Sequence, residues 1–269
     1  MRIALCFSGQ PRSVETGWES LKVIFEKNEI DVFVHTWWDD KYLDEGLEAS
    51  YSGNENNIHK NTLKVIEDLY NPVSMIVDPP KEKFDVDLNL RKERIQNYGE
   101  DHVAYNFTSQ FWSMKQSNDL KKEFENKMGF LYDVVIRARF DLYIDTFINF
   151  QEQAIDKNTI YIPSRWDYLY SSELGDDYRM YYGGKDWEQY LRYSNYGVPD
   201  VFYFGSSKCS DVWSSLYDNV DMMLKDNLKM PFIPEVLFRQ LLEDREININ
   251  TMVNIDVDLL RNGKRQHGD

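Results

Sequence analysis

Cysteine is almost missing from this chain: Cys6 and Cys209 are the two in 269 residues, and one pair does not build a disulfide framework. Both are therefore expected to be reduced. Long apolar runs are missing as well, and none reaches the roughly 18 residues that a membrane span needs. The opening MRIALCFSG is apolar over too short a stretch to be a signal-peptide core. A soluble, cytoplasmic protein is the expectation. Basic residues are the minority, 31 Lys and Arg against 46 Asp and Glu, for a formal net charge of −15. Most of such a surface repels a long polyanion, so no nucleic acid partner is expected, although a local basic pocket for a small phosphate stays compatible. Internal repeats and low-complexity tracts are absent too. What the chain has in quantity is hydrophobic and aromatic residues, 42% and 15%, ample for one large core. A single domain over residues 1–269, carrying insertions, is predicted.

The stretch that organises the rest is Tyr132 to Asp145, YDVVIRARFDLYID. Val134 to Ala138, interrupted only by Arg137, reads as a strand buried on both faces in the middle of a parallel sheet. Arg137, Arg139 and Asp141 then alternate. On a strand, alternate residues share a face, so the three charges are expected to project together from the carboxyl end. Ligands of open α/β sheets sit at that end. Two guanidinium groups favour an ionised Asp141, and an anionic oxygen flanked by Arg suits a divalent cation bridged to phosphate. An ordinary ion pair at a strand end would show the same pattern.

Other segments extend this layout. Arg2 to Phe7 reads as a strand ending in FSGQPR, where Ser8 and Gly9 let the backbone approach a ligand and Arg12 can reach an anion; a plain strand-to-helix turn is the alternative. A helix is predicted over Val14 to Glu26 and a strand over Ile30 to Val34, ending in His35, Trp37 and Trp38. Those indoles could stack on a nucleobase or simply pack the core. A helix over Lys60 to Leu69 leads to a strand over Val73 to Val77, with Asp78 at its carboxyl end. In the long helix from about Val103 to Met128, Asn106, Gln110, Ser113 and Ser117 line up with Leu120, Phe124 and Met128. If the apolar half of that line is buried, Gln110 and Ser113 should face a polar cavity, because buried amides and hydroxyls need partners; otherwise the turn points to water.

Further along, strands are predicted over Asn158 to Ile162 and Val201 to Phe204, a helix over Lys208 to Leu224 and another over Val236 to Glu243. A last strand-like stretch is Asn248 to Val257. Between them, Trp166 to Tyr196 mixes Tyr and Trp with acids, which suits sugar binding or a lid hinged at Gly183-Gly184. Pro234-Glu235 fits helix-start chemistry, or places a general base at Glu235. The basic tail holds Arg261, Lys264, Arg265 and His267. The element order indicates an α/β fold with a mainly parallel sheet flanked by helices.

The combination FSGQPR, FVHTWW, SQFWSMKQS and VVIRARFDLYI resembles glycosyltransferase-like proteins of viruses and bacteria, and the element order resembles GT-A-fold nucleotide-sugar glycosyltransferases. Only these short stretches are specific. The resemblance implies a GT-A-like, Rossmann-type fold with a nucleotide-binding half at 1–145 and an acceptor-binding half at 146–269. It also implies a nucleotide-sugar donor, a glycan acceptor, no membrane span, and host cytoplasm if the chain is viral. The nucleotide-sugar would contact Ser8, Gly9, Arg12, His35, Trp37, Gln110, Ser113, Arg137, Arg139 and Asp141. In the family, the last Asp of a D-x-D motif binds Mn²⁺ or Mg²⁺, which maps to Asp141; Arg139 replaces the first Asp and removes one metal ligand. His267 could mimic the C-terminal histidine that completes some metal sites, although its flanks differ. An inverting base maps to Glu235, with Asp200 as second candidate. A nucleotidyltransferase would need a longer glycine-rich loop than GQPR provides. A noncatalytic glycan-binding protein is the third reading, motivated by 18 Tyr and 7 Trp.

Overall fold

Runs of β-branched and aromatic residues build one central sheet, and segments of helical period cover its faces. The computed structural model describes residues 1–26, 28–43, 48–49, 54–55, 58–95, 100–144, 146, 148–163, 197–227, 230–252, 255, 257–261 and 264–265. In chain order the elements are β1 (Ile3–Gly9), α1 (Val14–Phe25), β2 (Ile30–Trp37), β3 (Glu48–Ala49), β4 (Asn54–Glu55), α2 (Thr62–Tyr70), β5 (Ser74–Asp78), α3 (Leu88–Glu93), α4 (Glu100–Met128), β6 (Val134–Ala138) and β7 (Leu142–Ile144). They continue with β8 (Thr159–Pro163), β9 (Tyr203–Gly205), α5 (Ser207–Ser214), α6 (Leu216–Asp226), α7 (Pro234–Asp244), β10 (Asn248–Met252), β11 (Val257–Arg261) and β12 (Lys264–Arg265).

The main sheet has seven strands in the order β10-β8-β9-β6-β1-β2-β5. Neighbours pair in parallel except β9, which runs antiparallel to β6 and to β8. The molecule is thus a Rossmann-like α/β fold with a mainly parallel sheet. From β1 the chain moves outward to β2 and β5, then returns to lay β6 on the other side of β1. The carboxyl ends of β1 and β6 therefore flank a switch point, the place where crevices open in such sheets.

Alternation along β1 shows why an uninterrupted apolar strand belongs in the centre. Ile3, Leu5 and Phe7 pack on one side with Leu21 and Ile24 of α1 and Ile66 and Tyr70 of α2. Ala4 and Cys6 turn to the other side, against Leu120 of α4. Both faces are covered, so neither can afford polar residues. Burial pushes the Cys6 thiol up to about 12, which leaves it protonated and inert.

One close approach places the loop that follows β6. A Cβ added to Gly17 of α1 would lie 1.9 Å from the Phe140 carbonyl oxygen. Only glycine lets the helix pack this closely, and the backbone amide of Ile144 donates to Ser20 Oγ at 2.7 Å on the same helix. The turn carrying Arg139 and Asp141 is thereby clamped onto α1.

Several boundaries differ from those read in the sequence. The helix expected over Lys208 to Leu224 is two helices, α5 and α6, parted at Ser215, whose hydroxyl donates to the Val212 carbonyl at 2.7 Å. Such local hydroxyl bonds compete with the helical ladder. The stretch from Asn248 to Val257 also divides: β10 joins the main sheet beside β8, whereas β11 pairs antiparallel with β7 and β12 in a small separate sheet. Arg261, Lys264 and Arg265 accordingly sit in the paired strands β11 and β12. His267, Gly183-Gly184 and the Tyr-rich acidic segment Trp166 to Tyr196 fall outside the described residues.

Candidate functional site

The carboxyl ends of β1, β2 and β6 gather most of the residues singled out in the sequence. Gly9 closes β1 with φ +112, a conformation that suits glycine, and its neighbours fasten it on two sides. Its amide donates to Ser113 Oγ of α4 at 2.8 Å, and its carbonyl accepts from Thr36 Oγ1 of β2 at 2.9 Å. Ser113 Oγ also lies 2.7 Å from His35 Nδ1, and His35 Nε2 lies 3.3 Å from Asp78 Oδ2. Ser113 of α4 is therefore buried against the sheet end while Gln110 is buried only in part, and the Ser113 hydroxyl meets the need that burial creates.

His35 is 0% exposed, and burial pulls its pKa down to about 4 although Asp78 pulls the other way. The ring is neutral at pH 7. Its partners assign the tautomer: Nε2–H donates to the Asp78 carboxylate, and Nδ1 accepts the Ser113 proton. Thr36, His35 and Ser113, all buried, and the partly exposed Asp78 thus form a strut under the Ser8-Gly9 loop. Thr36 and the partnership of Asp78 with His35 escaped sequence reading; the strand-end position of Asp78 was the available signal.

Across the switch point, Arg137 of β6 is 3% exposed. Its Nη1 donates to the Asp200 carbonyl and its Nη2 to Ser8 Oγ at 3.3 Å, while Nε has no hydrogen-bond partner among the described residues. Burial lowers its pKa to about 10, so it stays charged at neutral pH, at a cost in desolvation. Asp200, just before β9, accepts a bond from Gln110 Nε2 of α4. Glu235 sits in the first turn of α7, and its carbonyl accepts from the Val198 amide at 3.1 Å. The start of α7 therefore abuts the segment that carries Asp200.

Arg139 and Asp141 are joined differently from the sequence expectation. The pairing of β6 with β1 ends at Ala138, and the chain then turns through Phe140 and Asp141 into β7. Strand alternation stops with the pairing, so a turn, not a shared strand face, brings the charges together. Arg139 donates from Nε to Asp141 Oδ1 at 2.8 Å and from Nη2 to Oδ2 at 2.7 Å. Arg12 Nη2 lies 3.7 Å from the same Oδ2. Burial alone would lower the pKa of Arg139, but the carboxylate of Asp141 outweighs it and the net shift is upward.

Of the two expectations for Trp37, stacking on a base or packing the core, its surroundings fit the second. It is 4% exposed, packs in a core cluster with Phe84 and Ile95, and lies edge-on to His35 with ring centroids 4.7 Å apart. A ring covered by protein offers no face for a base. No protein-family model and no curated protein matches the chain.

The donor set can be compared with the Mn²⁺ or Mg²⁺ that the family resemblance implied. Asp141 is 2% exposed, and both its oxygens already accept a guanidinium fork. Among the described residues, no group of three His, Cys, Asp or Glu side chains could hold a metal ion. Hard divalent cations want several oxygen ligands, whereas here Arg139 and Arg12 both lie against one carboxylate. The described residues gathered at this end do not by themselves suit a divalent cation, and His267, the second ligand the resemblance implied, lies outside them.

Proposed function

We propose that the protein is a glycosyltransferase that moves a sugar from a nucleoside-diphosphate donor to a hydroxyl of a glycan acceptor. The observation that carries this reading is Arg137: a buried guanidinium whose Nε has no partner among the described residues, beside the Ser8-Gly9 loop at the switch point of a mainly parallel sheet. Small anionic ligands are recognised by such pairs of charge and pliant backbone. In transfer, the anomeric C–O bond to the diphosphate breaks and its electron pair goes to the leaving phosphate oxygen, where guanidinium groups stabilise the growing charge. The acceptor oxygen forms the new C–O bond and gives its proton to a carboxylate.

Asp200 suits the role of that base, since Gln110 holds its side chain and Arg137 its carbonyl. Glu235, on the adjoining helix start, is the second candidate. No helix among the described residues is long and apolar enough to cross a membrane, which fits a reaction on water-soluble donors in the cytoplasm. The test is to incubate the protein with UDP-, GDP- and CDP-sugars and glycan acceptors and to measure nucleoside diphosphate release. One donor class should turn over, and Asp200→Asn should slow transfer about 100-fold or more while donor binding persists. Failure to bind or turn over any of them would overturn the proposal.

A further inference from the structure

Among the described residues, the charges near Arg137 do not balance. Arg12, Arg137 and Arg139 face Asp141 and Asp200, three positive groups against two negative, and Arg139 claims both oxygens of Asp141. Arg137 is left with a carbonyl, a hydroxyl and an unpartnered Nε, although it is among the most buried charges of the sheet. A guanidinium held out of water with so little counter-charge gains most when an anion arrives. Phosphate oxygens fit its planar fork, and the Ser8 hydroxyl and the Gly9 backbone lie beside it.

We infer that the donor's diphosphate is gripped directly by Arg137, Arg139 and Arg12, with no divalent cation between protein and phosphate. The inference rests on the glycosyltransferase reading and narrows it. Asp141 then acts as a positioning residue: it holds the Arg139 fork in place and competes with the phosphate for it. A cation bridge would make the opposite demand, since Asp141 would have to leave Arg139 and turn its oxygens to the ion. The two arrangements respond oppositely to loss of the Asp141 charge.

Isothermal titration of the full chain with inorganic pyrophosphate, UDP, GDP and CDP, in EDTA and separately in excess Mn²⁺, separates them. The best ligand should bind in EDTA, and Mn²⁺ should change its affinity by less than about threefold. Arg137→Met should weaken binding about tenfold or more, and Arg139→Gln should do the same if the first variant does not fold, as judged by thermal unfolding. Asp141→Asn should bind as tightly as the natural chain or more tightly. Binding seen in Mn²⁺ alone, loss of binding in Asp141→Asn, or full affinity in a folded arginine variant would overturn direct capture and leave the glycosyltransferase reading standing. Absence of binding under both conditions would take down both.

Discussion

Arg91, Lys121 and Arg137 are the buried cations among the described residues, and the last two are treated differently. Lys121, on the second half of α4, is 0% exposed, and its Nζ meets Asp211 Oδ1 at 2.9 Å, Glu125 Oε2 at 3.1 Å and Ser207 Oγ at 2.5 Å. Glu125 in turn accepts the Tyr132 amide at 2.8 Å, and Asp211 accepts from Asn118 Nδ2 at 2.8 Å. Every charge there has a partner, as a structural network requires. Arg137 has a carbonyl and a hydroxyl, with Nε unpartnered among the described residues. Depth of burial is the same at the two places; what separates them is how much opposite charge the fold supplies. A cation matched twice over serves the fold, and on the reading proposed above the one left short is placed for a ligand.

The largest effect should come from removing the matched cation. Lys121→Met leaves Glu125 buried without its counter-charge, and breaking such a pair costs about 3–5 kcal/mol. Denaturant unfolding should show this as a lowered midpoint at unchanged slope, with pyrophosphate affinity retained in the folded fraction. A loss below about 1 kcal/mol would mean that the cluster behaves like an exposed ion pair, and the contrast with Arg137 would lose its structural half.

The strut beneath Gly9 supplies the next effect, through pH. His35 has an ordinary value of 6.5 and about 4 in the fold, because burial disfavours its charged form. Above 6.5 neither folded nor unfolded chain protonates it, and its contribution to stability is intact. As pH falls from 6.5 toward 4, the unfolded chain takes up a proton that the fold refuses, so stability drops, by on the order of 3 kcal/mol once both values are passed. Unfolding of the natural chain and of His35→Gln at several pH values isolates this contribution from that of the carboxylates. Parallel pH profiles would show that His35 is not the acid-sensitive part of the site.

Much of this layout could be read from residue order, and the gaps have physical causes. The run from Val134 to Ala138 declared a central strand because a segment covered on both faces must be apolar throughout. The stripe of Gln110 and Ser113 continuing into Leu120 left open whether that turn faces a polar cavity or water; Ser113 and Leu120 are buried, Gln110 and Phe124 only in part, and Met128 is exposed. Alternation past Ala138 misled, because it holds only while a strand is paired, and pairing with β1 stops there. Ring type alone left Trp37 open between platform and core packing, because burial is decided by a core cluster whose other members, Phe84 and Ile95 among them, are distant in sequence. The same holds for Gly17: its lack of a side chain matters only because the Phe140 carbonyl arrives from more than a hundred residues away.

The smallest effect is the one on which the comparison turns. Arg137→Met keeps the aliphatic stem in the sheet, gives up two donated bonds, and relieves the cost of holding a poorly neutralised charge away from water. These changes oppose one another, so without ligand the variant should unfold within about 1 kcal/mol of the natural chain, in contrast to Lys121→Met. Pyrophosphate at one concentration well above its Kd should then stabilise the natural chain more than the variant, by about 1.4 kcal/mol for a tenfold loss of affinity, because a ligand raises stability only through the state that binds it. Should Arg137→Met instead cost several kcal/mol in the absence of ligand, Arg137 would be a second Lys121, placed to hold β6 against β9, and its open Nε would carry no meaning for function.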